Sequence, residues 1–136
     1  MAPNKSRLIW DILQRNIELR CSLNTVETAK KLVNALEEKK GENIVLLDVT
    51  GVASFTDFFI FCNGSSNRML NALAESIDRV ARTEFSIHSR IEGNADDGWV
   101  LMDMGDIVIH LFDAERRKYY GLEELWSNGK VLVKFQ

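Results

Sequence analysis

Residues 99–112 of this chain read WVLMDMGDIVIHLF. Two apolar segments, Trp99–Met104 and Ile107–Phe112, flank the dipeptide Gly105-Asp106. Such a dipeptide between two strand-like segments is typical of a two-residue β-turn, because glycine readily adopts the backbone angles that these turns need. The stretch therefore predicts a tight hairpin.

Two more apolar segments, Ile44–Val49 and Phe58–Cys62, lie upstream and have the length of buried strands. The eight residues Thr50–Asp57 that separate them are too few for a crossover connection. We therefore predict that these two strands are antiparallel neighbours.

A helix is predicted after the loop Asn63–Ser66, with a serine as its cap. Its apolar residues recur at helical spacing: Met69, Leu70, Leu73, Ile77 and Val80. The segment Ser86–Ile91 follows as a predicted strand, which would complete a right-handed βαβ unit.

Two helices are predicted before the first strand. Asn24 and Glu27 resemble a capping box, and residues 39–41, Lys-Lys-Gly, carry the signals of a helix end. Further upstream, Ser6–Leu19 has the apolar spacing of a short amphipathic helix.

The C-terminal part predicts less regular structure. Residues 113–126 indicate a turn followed by a short helix, because apolar side chains cluster only after Gly121, which weakens a single continuous helix. Residues 130–135, KVLVKF, alternate in polarity and predict a last strand with one buried face. The fold class is therefore α/β, with a mixed, mostly five-stranded sheet covered by helices. We assign residues 1–23 to an N-terminal helical extension and residues 24–136 to one domain.

The composition excludes several classes of protein. The chain has 136 residues, of which 46% are apolar and 27% charged, as expected of one globular domain. We find no apolar run long enough to span a membrane and no secretory signal at the N-terminus, so the expected location is the cytoplasm. Cys21 and Cys62 lack the spacing of a zinc site, so we expect two free thiols and no structural metal.

The charge is unevenly distributed. The net charge of −3 argues against a protein whose main partner is a phosphate backbone. The segment Glu92–Glu124 contains nine acidic residues against three basic ones. This acidic third is either an ordinary solvated face or a surface for a basic partner.

An ordered set of motifs resembles the ribosomal silencing factor (RsfS/Iojap) family. The motifs are Asp48 with Thr56–Ile60, the loop Asn63–Ser66, Glu92-Gly93 with Trp99–His110, and Arg117–Trp126. They occur in the family's order and spacing over about Thr25–Trp126. The resemblance implies a fold related to the nucleotidyltransferase α/β sheet but without its active site.

The resemblance also implies a partner and a mode of action. Family members bind the large ribosomal subunit through ribosomal protein fourteen, at the surface where the small subunit docks. There they sterically block subunit joining and repress translation, especially under nutrient limitation. They are not enzymes and need no cofactor. Because family members tend to form dimers, a homodimer and a monomer both remain open for this chain.

Two aromatic residues are the predicted anchors of this contact. Trp99 and Tyr120 stand where the family has its ribosome-contacting aromatics, and a few such residues supply most of the affinity of an interface. The acidic residues Asp96, Asp97 and Glu115 are predicted rim charges that would steer a basic ribosomal protein.

Three further residues have two interpretations each. Arg117 and Lys118 would contact ribosomal RNA phosphates, or they belong to a solvated helix start. His110 shares its strand parity with Val108 and Phe112. It is either a hydrogen-bonded structural histidine or a residue that faces the partner.

The sequence leaves two other functions open. Aspartates at strand ends and turns suggest a divergent, metal-dependent nucleotidyltransferase: Asp48, Asp57, Asp103 and Asp106. However, no Asp-x-Asp pair occurs in the sequence, so these carboxylates are predicted to cap turns. The loop Gly64–Ser66 could cradle a phosphate, although a helix cap explains it equally well. An organellar ribosome-assembly factor is the third possibility, because distant family members have that role.

Overall fold

The computed structural model describes residues 25–135. The predicted helix at Ser6–Leu19, the cap at Asn24, the thiol of Cys21 and the extension over residues 1–23 lie outside the described residues.

The described chain alternates helices and strands. The first helix, α1, covers residues 25–38. The remaining elements are β1 (Glu42–Asp48), β2 (Phe58–Asn63), α2 (Asn67–Phe85), β3 (Arg90–Asn94), β4 (Trp99–Asp103), β5 (Ile107–Phe112), α3 (Ala114–Tyr120), α4 (Leu122–Leu125) and β6 (Lys130–Phe135). A 3-10 turn, Ala95–Asp97, joins β3 to β4. Among these helices, none is both long and apolar enough to cross a membrane.

The strands form one six-stranded sheet in the order β3-β4-β5-β2-β1-β6. Only β2 and β5 are parallel, and the other neighbours are antiparallel. The mixed α/β class is therefore confirmed, with six strands where mostly five were expected. The two edges of the sheet are β3 and β6.

The predicted hairpin is confirmed as β4 and β5. The amide of Met104 donates to the carbonyl oxygen of Ile107 at 2.9 Å, which leaves Gly105 and Asp106 as the turn. The φ angle of Gly105 is +85°, whereas Asp106 is not among the residues with positive φ. A positive φ at the first residue of a two-residue connection is a conformation that glycine adopts readily.

We predict that Gly105→Ala lowers the free energy of unfolding by about 1 kcal/mol, because a Cβ atom disfavours positive φ. A Cβ atom at this position would meet no other atom within 4 Å, so only backbone strain is tested. Urea denaturation measures the change, and Asp106→Ala in the same turn is the matched control. An equal loss in both variants would contradict the assignment of the strain to Gly105.

The other upstream predictions are confirmed with one shift of boundary. The strands β1 and β2 are antiparallel neighbours. The hydroxyl of Ser66 caps α2 by accepting from the amide of Met69 at 3.1 Å. The predicted strand at Ser86–Ile91 was placed too early, because Ser86 ends α2 in the left-handed conformation and the strand begins only at Arg90. This strand pairs with β4 and not with β2.

The prediction of a turn at the start of residues 113–126 was wrong, because Ala114–Tyr120 is helical. The carboxylate of Asp113 caps this helix by accepting from the amide of Arg116 at 2.7 Å. Gly121, with φ +55°, ends it and separates it from α4. Because no residue of α3 is buried, the sequence has no apolar periodicity there.

The sheet has two differently covered faces. The helices α1 and α2 pack against one face, where Leu32, Leu36, Leu73 and Ile77 are fully buried. Cys62 lies in this core as a free thiol, and burial raises its pKa to about 12. The opposite face, which we call the aromatic face, is covered by the shorter C-terminal segments.

Candidate functional site

The aromatic face carries a connected series of rings. It runs across the strands and onto the C-terminal helices, and neighbouring rings have centroid separations between 4.7 and 5.9 Å. Its members are Phe55, Phe59, Phe61, Trp99, His110, Phe112, Tyr119, Tyr120 and Trp126. We call this set the aromatic row. Trp126 packs against Phe59 within it, with ring centroids 5.2 Å apart.

Trp99 and Tyr120 lie together at one end of the aromatic row. Trp99 is the first residue of β4, and Tyr120 is the last residue of α3. Their ring centroids are 4.7 Å apart, and Phe112 stacks against Trp99 at 5.2 Å. Tyr120 is 47% exposed, and Trp99 is partly exposed. The structure thus brings the two predicted anchors into contact and leaves both accessible to solvent.

His110 lies beneath this pair, with only 5% of its surface exposed. Its imidazole stacks between Phe61, at 5.2 Å, and Phe112, at 5.8 Å. The indole Nε1 of Trp99 donates a hydrogen bond to Nδ1 of His110 at 3.2 Å. Burial lowers the pKa of His110 to about 4, so the ring is neutral near pH 7. This geometry supports the interpretation as a hydrogen-bonded structural histidine.

A shallow groove lies beside the two anchors. Its volume is about 280 Å³, and Trp99 and Tyr120 form part of its wall together with Glu92, Asp97 and Leu101. Asp97 is therefore beside the anchors, as expected of a rim charge. Asp96 and Glu115 are exposed nearby in the chain but do not line the groove.

Arg117 is committed to contacts within the chain. Its guanidinium donates to the carbonyl oxygen of Asn43, to Oδ1 of Asn63 and to the carboxylate of Glu123. The side chain is only 11% exposed. Arg117 therefore fastens α3 to the ends of β1 and β2, which leaves Lys118 as the exposed member of the two predicted phosphate contacts.

A larger cavity, about 570 Å³, lies on that side of α3. Its wall includes Arg117, Lys118, Glu123 and Glu124. The guanidinium there is already paired, and neither exposed anchor ring reaches this cavity. We therefore assign the candidate site to the smaller groove, where aromatic surface is accessible.

We predict that Arg117→Ala lowers the free energy of unfolding by about 2 kcal/mol, because it leaves Asn63 and Glu123 without their partner. Since α3 has no buried apolar side chain to hold it, the ring of Tyr120 should also lose its fixed position. Urea denaturation measures the first effect, and the aromatic NMR signals of Tyr120 report the second. Lys118→Ala, an exposed neighbour, is the matched control and should change neither. A similar stability for both variants would contradict this role of Arg117.

The strand-end aspartates mostly serve the backbone. Asp48 accepts from the amide of Thr50 at 2.9 Å, and Asp103 accepts from Gly105 at 2.8 Å, as predicted for turn caps. The pKa of Asp57 is raised by burial and by the carboxylates of Asp106 and Asp48. Over residues 25–135, no group of three or more His, Cys, Asp or Glu side chains could hold a metal ion.

Phe55 was not predicted as a site residue. This residue is 60% exposed, and its ring contacts Phe59 and Trp126 at the far end of the aromatic row. Phe55 lies in the loop between β1 and β2, where no periodic pattern indicates which side chains share a face. An isolated loop phenylalanine carried no signal that would have identified it.

The fold and this site define a small α/β protein with an exposed aromatic anchor of the kind used in protein interfaces. Residues 22–135 match the family model described as "Ribosomal silencing factor during starvation". The chain therefore belongs to the ribosomal silencing factor family.

Individual relatives agree with this assignment. The ribosomal silencing factor RsfS of Halalkalibacterium halodurans is 37% identical over 110 residues, which are 81% of this chain and 94% of that protein. A crystal structure of a Chromobacterium violaceum protein is similar with a TM-score of 0.69 and 37% identity, covering 74% of this chain and 84% of that one. The mouse protein named mitochondrial assembly of ribosomal large subunit protein 1 is 31% identical over 99 residues, 71% of this chain and 43% of that protein.

Proposed function

We propose that this chain binds the large ribosomal subunit through ribosomal protein fourteen, sterically blocks joining of the small subunit and so represses translation, especially under nutrient limitation. The observation that carries the proposal is the contact between Trp99 and Tyr120, whose rings are 4.7 Å apart and accessible, in a member of the silencing-factor family. Two touching aromatic rings with a polar surround have the composition of an interface hot spot.

The charges around the anchors favour a basic partner. Glu92 and Asp97 line the groove beside Trp99, while Asp96 and Glu115 are exposed close by in the chain. Ribosomal proteins are generally basic, so acidic rim residues would accelerate encounter and fix orientation. Lys118 is exposed and is the residue we propose for a minor contact with ribosomal RNA.

The proposed mechanism requires only that the chain binds the large subunit and occupies space there. A protein of this size that covers a docking surface of about 800 Å² excludes another macromolecule from the same area. The repression then depends on the lifetime of the complex, which is set by how well the anchors are buried in the partner. We accordingly propose that the chain is not an enzyme and requires no cofactor.

A nucleotidyltransferase-like activity is the first alternative, since the resemblance relates the fold to that enzyme class. It is favoured only by the group Asp48, Asp57 and Asp106, where burial and the two neighbouring carboxylates raise the pKa of Asp57. It predicts metal-dependent nucleotide turnover that Asp103→Asn abolishes. Calorimetric titration with Mg-ATP tests it, and heat of binding would favour the enzyme.

The compartment and the oligomeric state belong to the same proposal. We propose a cytoplasmic silencing factor, and the organellar alternative is represented by the mouse relative, whose name places it in mitochondrial ribosome assembly. Localisation of a tagged chain distinguishes the two. A homodimer is also proposed from the resemblance.

Gradient sedimentation tests the main proposal. The purified chain is mixed with large subunits alone, and then with large and small subunits together. We expect co-sedimentation with the large subunit and a smaller peak of joined ribosomes. An undiminished peak of joined ribosomes at saturating protein would refute the steric block. The sedimentation of the chain alone at several concentrations reports dimer formation.

A further inference from the structure

The indole N–H of Trp99 already has an acceptor inside the protein. Indole nitrogen is a donor only, and a partner that buries Trp99 would have to supply an acceptor or leave the N–H unpaired. In this chain Nδ1 of His110 takes the hydrogen bond at 3.2 Å. A partner can therefore cover the ring of Trp99 without supplying a hydrogen-bond acceptor.

The acceptor is held in a fixed direction. His110 pairs with Leu101 across the hairpin and with Phe61 across the parallel strands, so its backbone is held on both sides. Its ring is nearly parallel to that of Phe112, with an interplanar angle of 7°, and lies at 16° to Phe61. A stacked ring in the sheet can rotate little, and Nδ1 stays aimed at the indole.

The acceptor role also fixes the tautomer. Nδ1 can accept the indole proton only when it carries none itself, so the proton of the neutral imidazole is on Nε2. The rings that contact His110 belong to Phe59, Phe61, Trp99 and Phe112, and none of them carries a charge. The tautomer follows from the hydrogen bond with Trp99.

We propose that His110 is a positioning residue for partner binding: it orients and satisfies the indole of Trp99 without touching the partner itself. This inference rests on the proposed function, because the partner is the one bound at Trp99 and Tyr120. Because His110 is only 5% exposed, we assign it this indirect role and not direct contact with the partner.

Two substitutions separate positioning from packing. In His110→Asn, the amide oxygen stands where Nδ1 stood and still accepts the indole proton, whereas His110→Leu fills space without an acceptor. The full chain is labelled with ¹⁵N, and solvent exchange of the Trp99 indole N–H is measured, with the Trp126 indole as internal reference. Affinity for purified large subunits and urea unfolding are measured on the same samples.

We expect the Leu variant to exchange the Trp99 indole proton about tenfold faster or more and to bind large subunits about fivefold more weakly, the worth of one hydrogen bond. The Asn variant should stay within about twofold of the unaltered chain in both measurements. Faster exchange in the Leu variant with unchanged affinity would overturn the proposal. So would an equal loss of affinity in both variants.

Failure of the proposed function is a separate outcome. If the unaltered chain does not bind large subunits, the proposed function is refuted and the role in binding falls with it. The exchange of the Trp99 indole proton then still shows whether His110 holds the ring. A binding-competent chain with a freely exchanging indole would refute the positioning role alone.

Discussion

Replacing Trp99 by alanine is expected to weaken binding to the large ribosomal subunit by about a hundredfold, or roughly 2.7 kcal/mol. The change removes the ring that contacts Tyr120 and leaves part of the groove without a wall. Tyr120→Ala should have an effect of similar size, because it removes the more exposed member of the pair. The double variant should lose less than the sum, since the two rings touch and share the binding energy.

Binding of labelled chain to purified large subunits measures these losses. Ile91→Ala is the control, because Ile91 is also apolar and exposed but pairs with Met102, whose side chain lies in the core on the face opposite the aromatic face. Urea unfolding is recorded for each variant, since Trp99 also packs on Phe112 and bonds to His110. If folded Trp99→Ala and Tyr120→Ala chains both bind within about threefold of the unaltered chain, the site assignment is wrong.

Acidification is expected to destabilise the chain by roughly 2 kcal/mol between pH 7.5 and pH 5 through His110 alone. Burial lowers the pKa of this histidine from 6.5 to about 4 in the folded protein. The unfolded chain therefore takes up the proton at a higher pH than the folded chain. The contribution of His110 to stability is intact above about pH 6.5 and is lost progressively as the pH falls towards 4.

Urea unfolding at several pH values measures this dependence, and His110→Leu supplies the control. The pKa of Asp57 is raised, which gives an effect of the opposite sign, but Asp57 is the same in both chains. The difference in slope between the two chains therefore belongs to His110. Equal slopes over this pH range would show that the imidazole is not held neutral by burial.

The local part of the fold could be predicted from the sequence. The hairpin of β4 and β5 depends on a two-residue turn, and the start of α2 depends on the Ser66 cap, so neighbouring residues suffice to specify both. The helix α3 was not predicted, because no pattern of neighbouring apolar residues indicates it. It buries no apolar side chain, and its stability comes from the Asp113 cap and from the contacts of Arg117 with residues distant in the chain.

The sequence identified Trp99 and Tyr120 as candidate anchors, but it did not predict the arrangement around them. Trp99 and His110 were each singled out, yet their hydrogen bond depends on the register of β4 against β5. Arg117 contacts Asn63 and Asn43, which lie 54 and 74 positions earlier in the chain. Its charge alone therefore indicated only a solvated or phosphate-binding side chain. The role of such a side chain depends on residues that are remote in the sequence. A single sequence does not show which of these residues meet in the fold.

The charges on both edge strands of the sheet bear on how the protein avoids aggregation. The outermost strands are short, with Arg90 and Glu92 on β3 and Lys130 and Lys134 on β6. An unpaired strand invites other chains to add to it, and charged side chains make that growth unfavourable. Such borders keep the sheet closed to strand addition, so the folded chain is protected against aggregation through its edges.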